Sequence, residues 1–272
     1  MTSRIGTAHT PTRFHAAIIA ATILILAAGC GGTKTEVGDG APAQVSGENG
    51  VAGASDNVKT YFEAEVSSDL DKAKEALAVS EPGSIAAAYA QRNVAVAQAG
   101  VSAGETWEDD SVKFSKDKVV ICDPAGSTNE DVDPCVEYTE IKTDGTGKLQ
   151  SFLIDGQDIA GRISIGSEPI VKDDVSVQPD FAYRSVQNGD LIIGVTVTNN
   201  RTDDVTPWLN LASYVGPDGR QRDLTSAFGP SSDLAPGATA TYIMDFGQVD
   251  IGGTVRLEIN HDSDTTEFEI PT

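Results

Sequence analysis

Apolar and polar positions change rhythm four times along the chain. Ala16 to Gly29 is an uninterrupted apolar or small run, and Gly31 to Ala54 has no aromatic residue and is rich in Gly, Ala, Ser and Thr. From Ser55, Val58, Tyr61, Phe62, Val66, Leu70, Ala73 and Leu77 recur at three and four, the spacing of one helix face. Ser67-Ser68-Asp69 interrupts that stripe and predicts two helices, with Ser68 or Asp69 capping the second. Pro82 is expected to start a third helix, with Ile85, Tyr89 and Val96 on one side and Gly100 or Gly104 at its end.

Beyond Trp107 the rhythm becomes alternation. Strands are expected over Ser111–Ser115, Lys118–Asp123, Cys135–Lys142, Lys148–Ile154 and Ile159–Ile165, the last with Arg162 and Ser164 opposite its isoleucines. Helices followed by a meander predict an α+β unit over residues 55–166. Gly, Pro and charge between Gly166 and Asp174 mark a linker at 167–174. From 175 to 272 the pattern is all strand: Leu191, Ile193, Val195 and Val197 alternate with small or polar residues, as do Val255, Leu257 and Ile259, then Phe268 and Ile270. Asn188-Gly189, Asp218-Gly219 and Pro236-Gly237 supply the turns, and short strands at this spacing predict a β-sandwich.

Residues 1–29 contain two arginines and no acid, and their apolar run is shorter than the ~20 residues that a bilayer span needs. A basic start followed by a short apolar stretch reads as a secretory signal. It ends Leu26-Ala27-Ala28-Gly29-Cys30, which resembles the bacterial lipoprotein signal, with Ala27 where leucine is usual and Leu26 one place earlier. The resemblance implies a signal peptide over 1–29 and diacylglycerol, with a further acyl chain such as palmitate, on Cys30. Two or three chains at ~0.8 kcal/mol per buried methylene hold firmly to a membrane. Residues 30–54 would then be a lipidated flexible tether with a reach of about 27 Å as a random coil.

Two further resemblances rest on particular residues. The strand Leu191–Asn199 with its VTVTNN run, Gly216-Pro217-Asp218-Gly219, and the Leu234-Ala235-Pro236-Gly237 turn before Thr239–Phe246 make residues 175–270 similar to bacterial immunoglobulin-like domains. Residues 55–166, with Gly147–Ile165 as last strands, resemble the nuclear-transport-factor-2-like cone of helices and curved sheet. The layout as a whole resembles actinobacterial envelope lipoproteins of uncharacterised function. In these families the quoted motifs are structural, so no catalytic residue is implied.

Composition narrows the partners. A net charge of −22 lacks the basic footprint that nucleic acid requires. It equally opposes broad docking on anionic headgroups. Cys122 and Cys135 lie beside expected strands, and outside the cytoplasm such a pair reads as a disulfide. A zinc site would need four ligands, and beyond residue 30 the chain has one histidine, His261.

Other chemistry finds weak footing. Asn129, Asp131 and Asp133 have the alternate spacing of calcium loops, without the glycine and the distal glutamate of an EF-hand. Asp262 and Asp264 after His261 read as a polar turn, and a nucleophile–histidine–acid arrangement would have to use His261. Asp109 and Asp110 are a nominal carboxylate pair whose side chains point to opposite faces if they lie on a strand. Asp144-Gly145-Thr146-Gly147-Lys148 reads as a hairpin turn rather than a phosphate loop, and Trp107 and Trp208 as aromatics at a core edge.

These readings converge on a protein without catalytic residues or cofactor, anchored through Cys30 on the extracytoplasmic face of the cell membrane. It is expected to bind or scaffold an envelope protein or a small ligand, with the concave sheet face of the α+β unit as the default ligand site. An envelope hydrolase using paired carboxylates, or a calcium-dependent adhesion module, are the alternatives.

Overall fold

The computed structural model describes residues 55–105, 109–123, 135–261 and 264–272. Three helices lead: α1 (Asp56–Glu65), α2 (Leu70–Ala78) and α3 (Ile85–Ala103). The break after α1 falls at the serines, and Asp69 caps α2 by accepting from the amides of Asp71 and Lys72 at 2.8 and 3.2 Å. Pro82 does not start α3. It lies in a turn with Gly83, and Ser84 is the cap, its hydroxyl accepting from the Ala87 amide at 3.1 Å. A serine side chain satisfies an orphan amide, which proline cannot do, so the helix starts where the hydroxyl is. Gly104, left-handed at φ 68°, ends it.

Strands follow, paired antiparallel. The first sheet is a meander of β1 (Ser111–Phe114), β2 (Lys118–Cys122), β3 (Cys135–Thr143), β4 (Leu149–Ile154) and β5 (Gln157–Asp158). Next come β6 (Ile163–Ile165), β7 (Ile170–Lys172), β8 (Val175–Arg184), β9 (Asp190–Asn199), β10 (Thr206–Pro207), β11 (Ser213–Val215), β12 (Gln221–Asp223), β13 (Ser226–Phe228), β14 (Thr239–Gln248), β15 (Thr254–His261) and β16 (Asp264–Pro271). The second sheet runs β13-β14-β9-β8-β6, with β7 also on β8; the third runs β10-β15-β11-β12, with β16 on β15. Val177, Ile193, Val195 and Met244 of the second sheet share one core with Tyr214, Val255, Leu257 and Phe268 of the third. The glycines of the three expected turns, Gly189, Gly219 and Gly237, all have positive φ.

Two expectations change. The strand expected over 159–165 is only Ile163–Ile165, and it pairs with β8 of the second sheet rather than closing the first. Residues 167–174 are not a plain linker: they hold β7 and a two-residue hairpin turn in which Asp173 and Asp174 are both left-handed, at φ 47° and 58°. That is the twist a tight hairpin needs, and aspartate tolerates it better than most residues.

The helical layer joins the sheets. α3 lies against β4 of the first sheet and against β6, β8, β9, β13 and β14 of the second. Its alanines explain this: Ala86, Ala87, Ala90, Ala95, Ala97 and Ala99 are all buried, and their small side chains let backbones approach the helix from both sheets. Phe181, Tyr183 and Ile243 of the second sheet consequently belong to the same core as Tyr61, Phe62 and Phe152. A bulge in β8 between Pro179 and Phe181 makes this possible. Before it, Val175 and Val177 face the third sheet; beyond it the parity flips, and Phe181 and Tyr183 face α3. Gly194 on β9 leaves room for the Phe181 ring, since a Cβ there would lie 2.4 Å from it.

Candidate functional site

The densest chemistry lies where α1, α3, the first sheet and β8 meet. Phe62, Tyr138, Tyr89 and Phe152 pack edge to face at centroid distances of 5.0–5.5 Å. These rings occupy the sheet face expected to bind a ligand. Arg92 of α3 is buried among them, its guanidinium 4.9 Å from the Tyr89 ring centre and 4.8 Å from that of Tyr183. Two electron-rich faces thus bracket the cation, an attraction that strengthens as water is removed. Its Nη1 donates to Oδ1 of Asn93 at 2.6 Å. Burial acts to lower Arg92, but Tyr89, Tyr183 and Glu65 together hold it above its ordinary value.

Glu65, the last residue of α1, completes the cluster. Burial pushes its carboxyl up to about 8, against the opposing pull of Arg92, and the charge of Asp110 adds to the rise. The hydroxyls of Tyr138 and Tyr89 donate toward it. Its Oε2 is out of contact with water and has no hydrogen-bond partner among the described residues. Burial thus biases Glu65 toward its protonated form, leaving Arg92 as the main charge of the cluster. Tyr61, Tyr89 and Tyr138 are all raised well above the ordinary phenol value, burial being the largest cause. The Tyr61 hydroxyl donates to the Ala86 carbonyl at 3.0 Å, and the Tyr89 and Tyr138 hydroxyls lie 3.4 Å apart. None of the tyrosines is poised as a base.

The sequence-derived candidates have distinct places. Cys122 and Cys135 face each other in register across β2 and β3 and form a disulfide. Cys30, Trp107, Asn129, Asp131, Asp133 and Asp262 lie outside the described residues. Asp109 serves structure: one oxygen accepts from the Ser68 amide at 2.9 Å and from its hydroxyl at 3.2 Å, bracing the turn between α1 and α2. Asp110, whose amide donates to the Val66 carbonyl at 3.0 Å, is the member of that pair that acts on Glu65. Asp144 accepts from the Thr146 and Lys148 amides at 2.8 and 2.9 Å, so its segment is a hairpin turn. Asp264, exposed, pairs with His261 where β16 begins, and half-buried Trp208 precedes a single 3-10 turn at Leu209–Leu211.

His261 does meet a hydroxyl and an acid. Its Nε2 lies 2.9 Å from the Thr266 hydroxyl, which donates to Asp173 Oδ2 at 2.6 Å. The order is wrong for nucleophilic catalysis. A histidine base must stand between nucleophile and acid, whereas here the hydroxyl stands in the middle and its proton is already committed. The trio ties the β7–β8 turn to β16.

Sequence reasoning missed the Glu65–Arg92 cluster. The signal was present: Glu65 lies four residues after Tyr61 and seven after Val58, on the apolar stripe of α1, and Arg92 is the one cation of α3. It also missed Asp180, the extra residue of the β8 bulge. Burial pushes Asp180 up to about 6, and it accepts from the Thr196 hydroxyl at 2.7 Å. A small cleft between α3 and the second sheet opens there, lined by Gln91, Ala95, Asp180, Thr196 and Thr241. A larger one, about 200 Å³, lies between β6, β8 and the end of β16 and is mostly apolar, with Ile165, Phe181, Ile193 and Ile270 in its walls. Neither reaches the tyrosine cluster. Among the described residues no three His, Cys, Asp or Glu side chains converge on a metal position, and no helix is long and apolar enough to cross a membrane.

The chain matches no family model, and no curated protein is similar to it. Among solved structures it is similar to the crystal structure of a functionally unknown protein from Listeria monocytogenes EGD-e, at a TM-score of 0.30 and 10% identity over 42% of this chain and 89% of that one.

Proposed function

We propose that this chain is a lipid-anchored protein on the extracytoplasmic face of a cell envelope, acting by binding or scaffolding rather than catalysis. Its helices and first sheet are read as a nuclear-transport-factor-2-like unit, and its second and third sheets as an immunoglobulin-like one. The observation that carries the compartment is the closed Cys122–Cys135 disulfide, since such bonds persist where the surroundings oxidise. The basic start, short apolar run and Cys30 at residues 1–30 support the anchor. Support for binding over chemistry comes from the interior: among the described residues the one strongly perturbed carboxyl near a cation, Glu65, is sealed among aromatic rings. A tether then acts by colocalisation, raising the effective concentration of the folded part near envelope partners. Substituting Cys30→Ala tests the anchor. The wild type is expected in the membrane fraction and the variant in the soluble extracytoplasmic fraction; a variant that stays with the membrane refutes the anchor.

Glu65 within electrostatic reach of Asp110 favours one second reading, a carboxylate hydrolase. That reading requires a path from solvent to Glu65. Exchange of its carboxyl proton slower than that of surface acids, followed by NMR, would count against it.

A further inference from the structure

We propose that the cleft between α3 and the second sheet is a single-ion site for a hard cation of the calcium class, built around Asp180. The bulge in β8 gives Asp180 no opposite residue on β9 and aims its carboxyl under α3. Bulges of this kind re-aim side chains at functional positions. The carboxylate meets two hydroxyls in a chain, Thr196 Oγ1 at 2.7 Å from its Oδ2 and Thr241 Oγ1 a further 2.8 Å on, with Gln91 and Ala95 lining the cleft from α3. Thr241 is itself buried, so its hydroxyl is committed to this network rather than to solvent.

The carboxylate is under-satisfied. An ionised carboxyl offers about four acceptor positions, and the one side-chain hydrogen bond to Asp180 comes from Thr196. Among the described residues no ion pair involves Asp180, and no charged group accounts for any of its perturbation. A buried carboxylate without a counter-charge is costly. The cleft, about 70 Å³, exceeds what one water requires and is far smaller than the ~300 Å³ where small-molecule pockets begin. That size and an oxygen-only donor set of one carboxylate, two hydroxyls and a carboxamide suit one hard cation that retains part of its water shell. A donor set with a single charge gives weak binding, in the 10⁻⁴–10⁻³ M range of extracellular calcium modules. The net charge of −22 raises the local cation concentration without defining a site.

The test is calcium titration of the full chain in detergent, at 0.15 M NaCl and constant ionic strength, by calorimetry and thermal unfolding. The wild type is compared with Asp180→Asn, which is nearly isosteric and keeps an acceptor for Thr196, and with Thr241→Ala as a second variant. The wild type is expected to bind one more calcium than either variant. Its Tm is expected to rise about 3–6 °C more at tenfold the dissociation constant. Equal stoichiometry and equal Tm rise in all three proteins, which is what diffuse binding to surface acids produces, would overturn the proposal, as would no rise in the wild type.

Discussion

Replacing Glu65 by glutamine should stabilise this protein at neutral and alkaline pH, although it removes a carboxyl from beside a buried arginine. In the unfolded chain the carboxyl ionises at its ordinary 4.5, whereas the folded protein holds its proton up to about 8. The folded state therefore binds one extra proton between those values. The contribution of Glu65 is fully present below about pH 4.5, declines as pH rises, and is lost through pH 8. At pH 7 the wild type forgoes about 3 kcal/mol relative to its own acid form, at ~1.4 kcal/mol per unit. Glutamine keeps the shape and still accepts from the Tyr89 and Tyr138 hydroxyls, but has no proton to lose. Urea unfolding of both proteins at pH 4.5, 6, 7 and 8 gives the comparison. The variant should match the wild type at the lowest pH and exceed it by about 3 kcal/mol at pH 7. If instead it is weaker by about 3–5 kcal/mol at pH 7, Glu65 is an ionised partner of Arg92 and the reasoning is wrong, because that is the cost of breaking a buried ion pair.

Other outcomes follow from the same geometry. Replacing both Cys122 and Cys135 by serine opens a cross-link spanning 13 residues and should cost about 3 kcal/mol, read as a Tm lower by about 6–12 °C in non-reducing buffer. Phe152→Ala removes the ring that touches Tyr61, Phe62, Tyr89 and Tyr138, and chemical unfolding should show a loss of about 3–5 kcal/mol. Gly194→Ala sets a methyl against the Phe181 ring and should cost about 1–3 kcal/mol, with altered NMR shifts for Phe181 and its neighbours on α3.

How far the fold was readable depended on length and periodicity. α1 and α2 could be read because their stripe recurs at three and four and Asp69 announces the cap. β9, β15 and β16 could be read because each runs long enough for alternation to show. β6 and β7 have three residues each, too few for a period: the alternating isoleucines of 159–165 read as one longer strand and the composition of 167–174 as a linker, and neither shows the pairing with β8. The parity flip at Asp180 has no sequence signature, because a bulge inserts one residue without changing residue types. The joining of helical layer and second sheet through α3 was likewise hidden: an alanine-rich helix has no single apolar face to orient, and only the partners reveal that it packs on both sheets. At the site, the cysteine pairing was legible from compartment and spacing. The Glu65–Arg92 cluster was not, since its two ends lie 27 residues apart and meet only through tertiary packing.

The proposed placement at the membrane depends most on Cys30. Intact-mass and peptide mass spectrometry of the protein purified from its native membrane tests it directly. An N-terminal peptide that begins at Cys30 and carries diacylglycerol on sulfur is expected; a peptide running through unmodified Cys30, or one starting elsewhere, would refute the anchor.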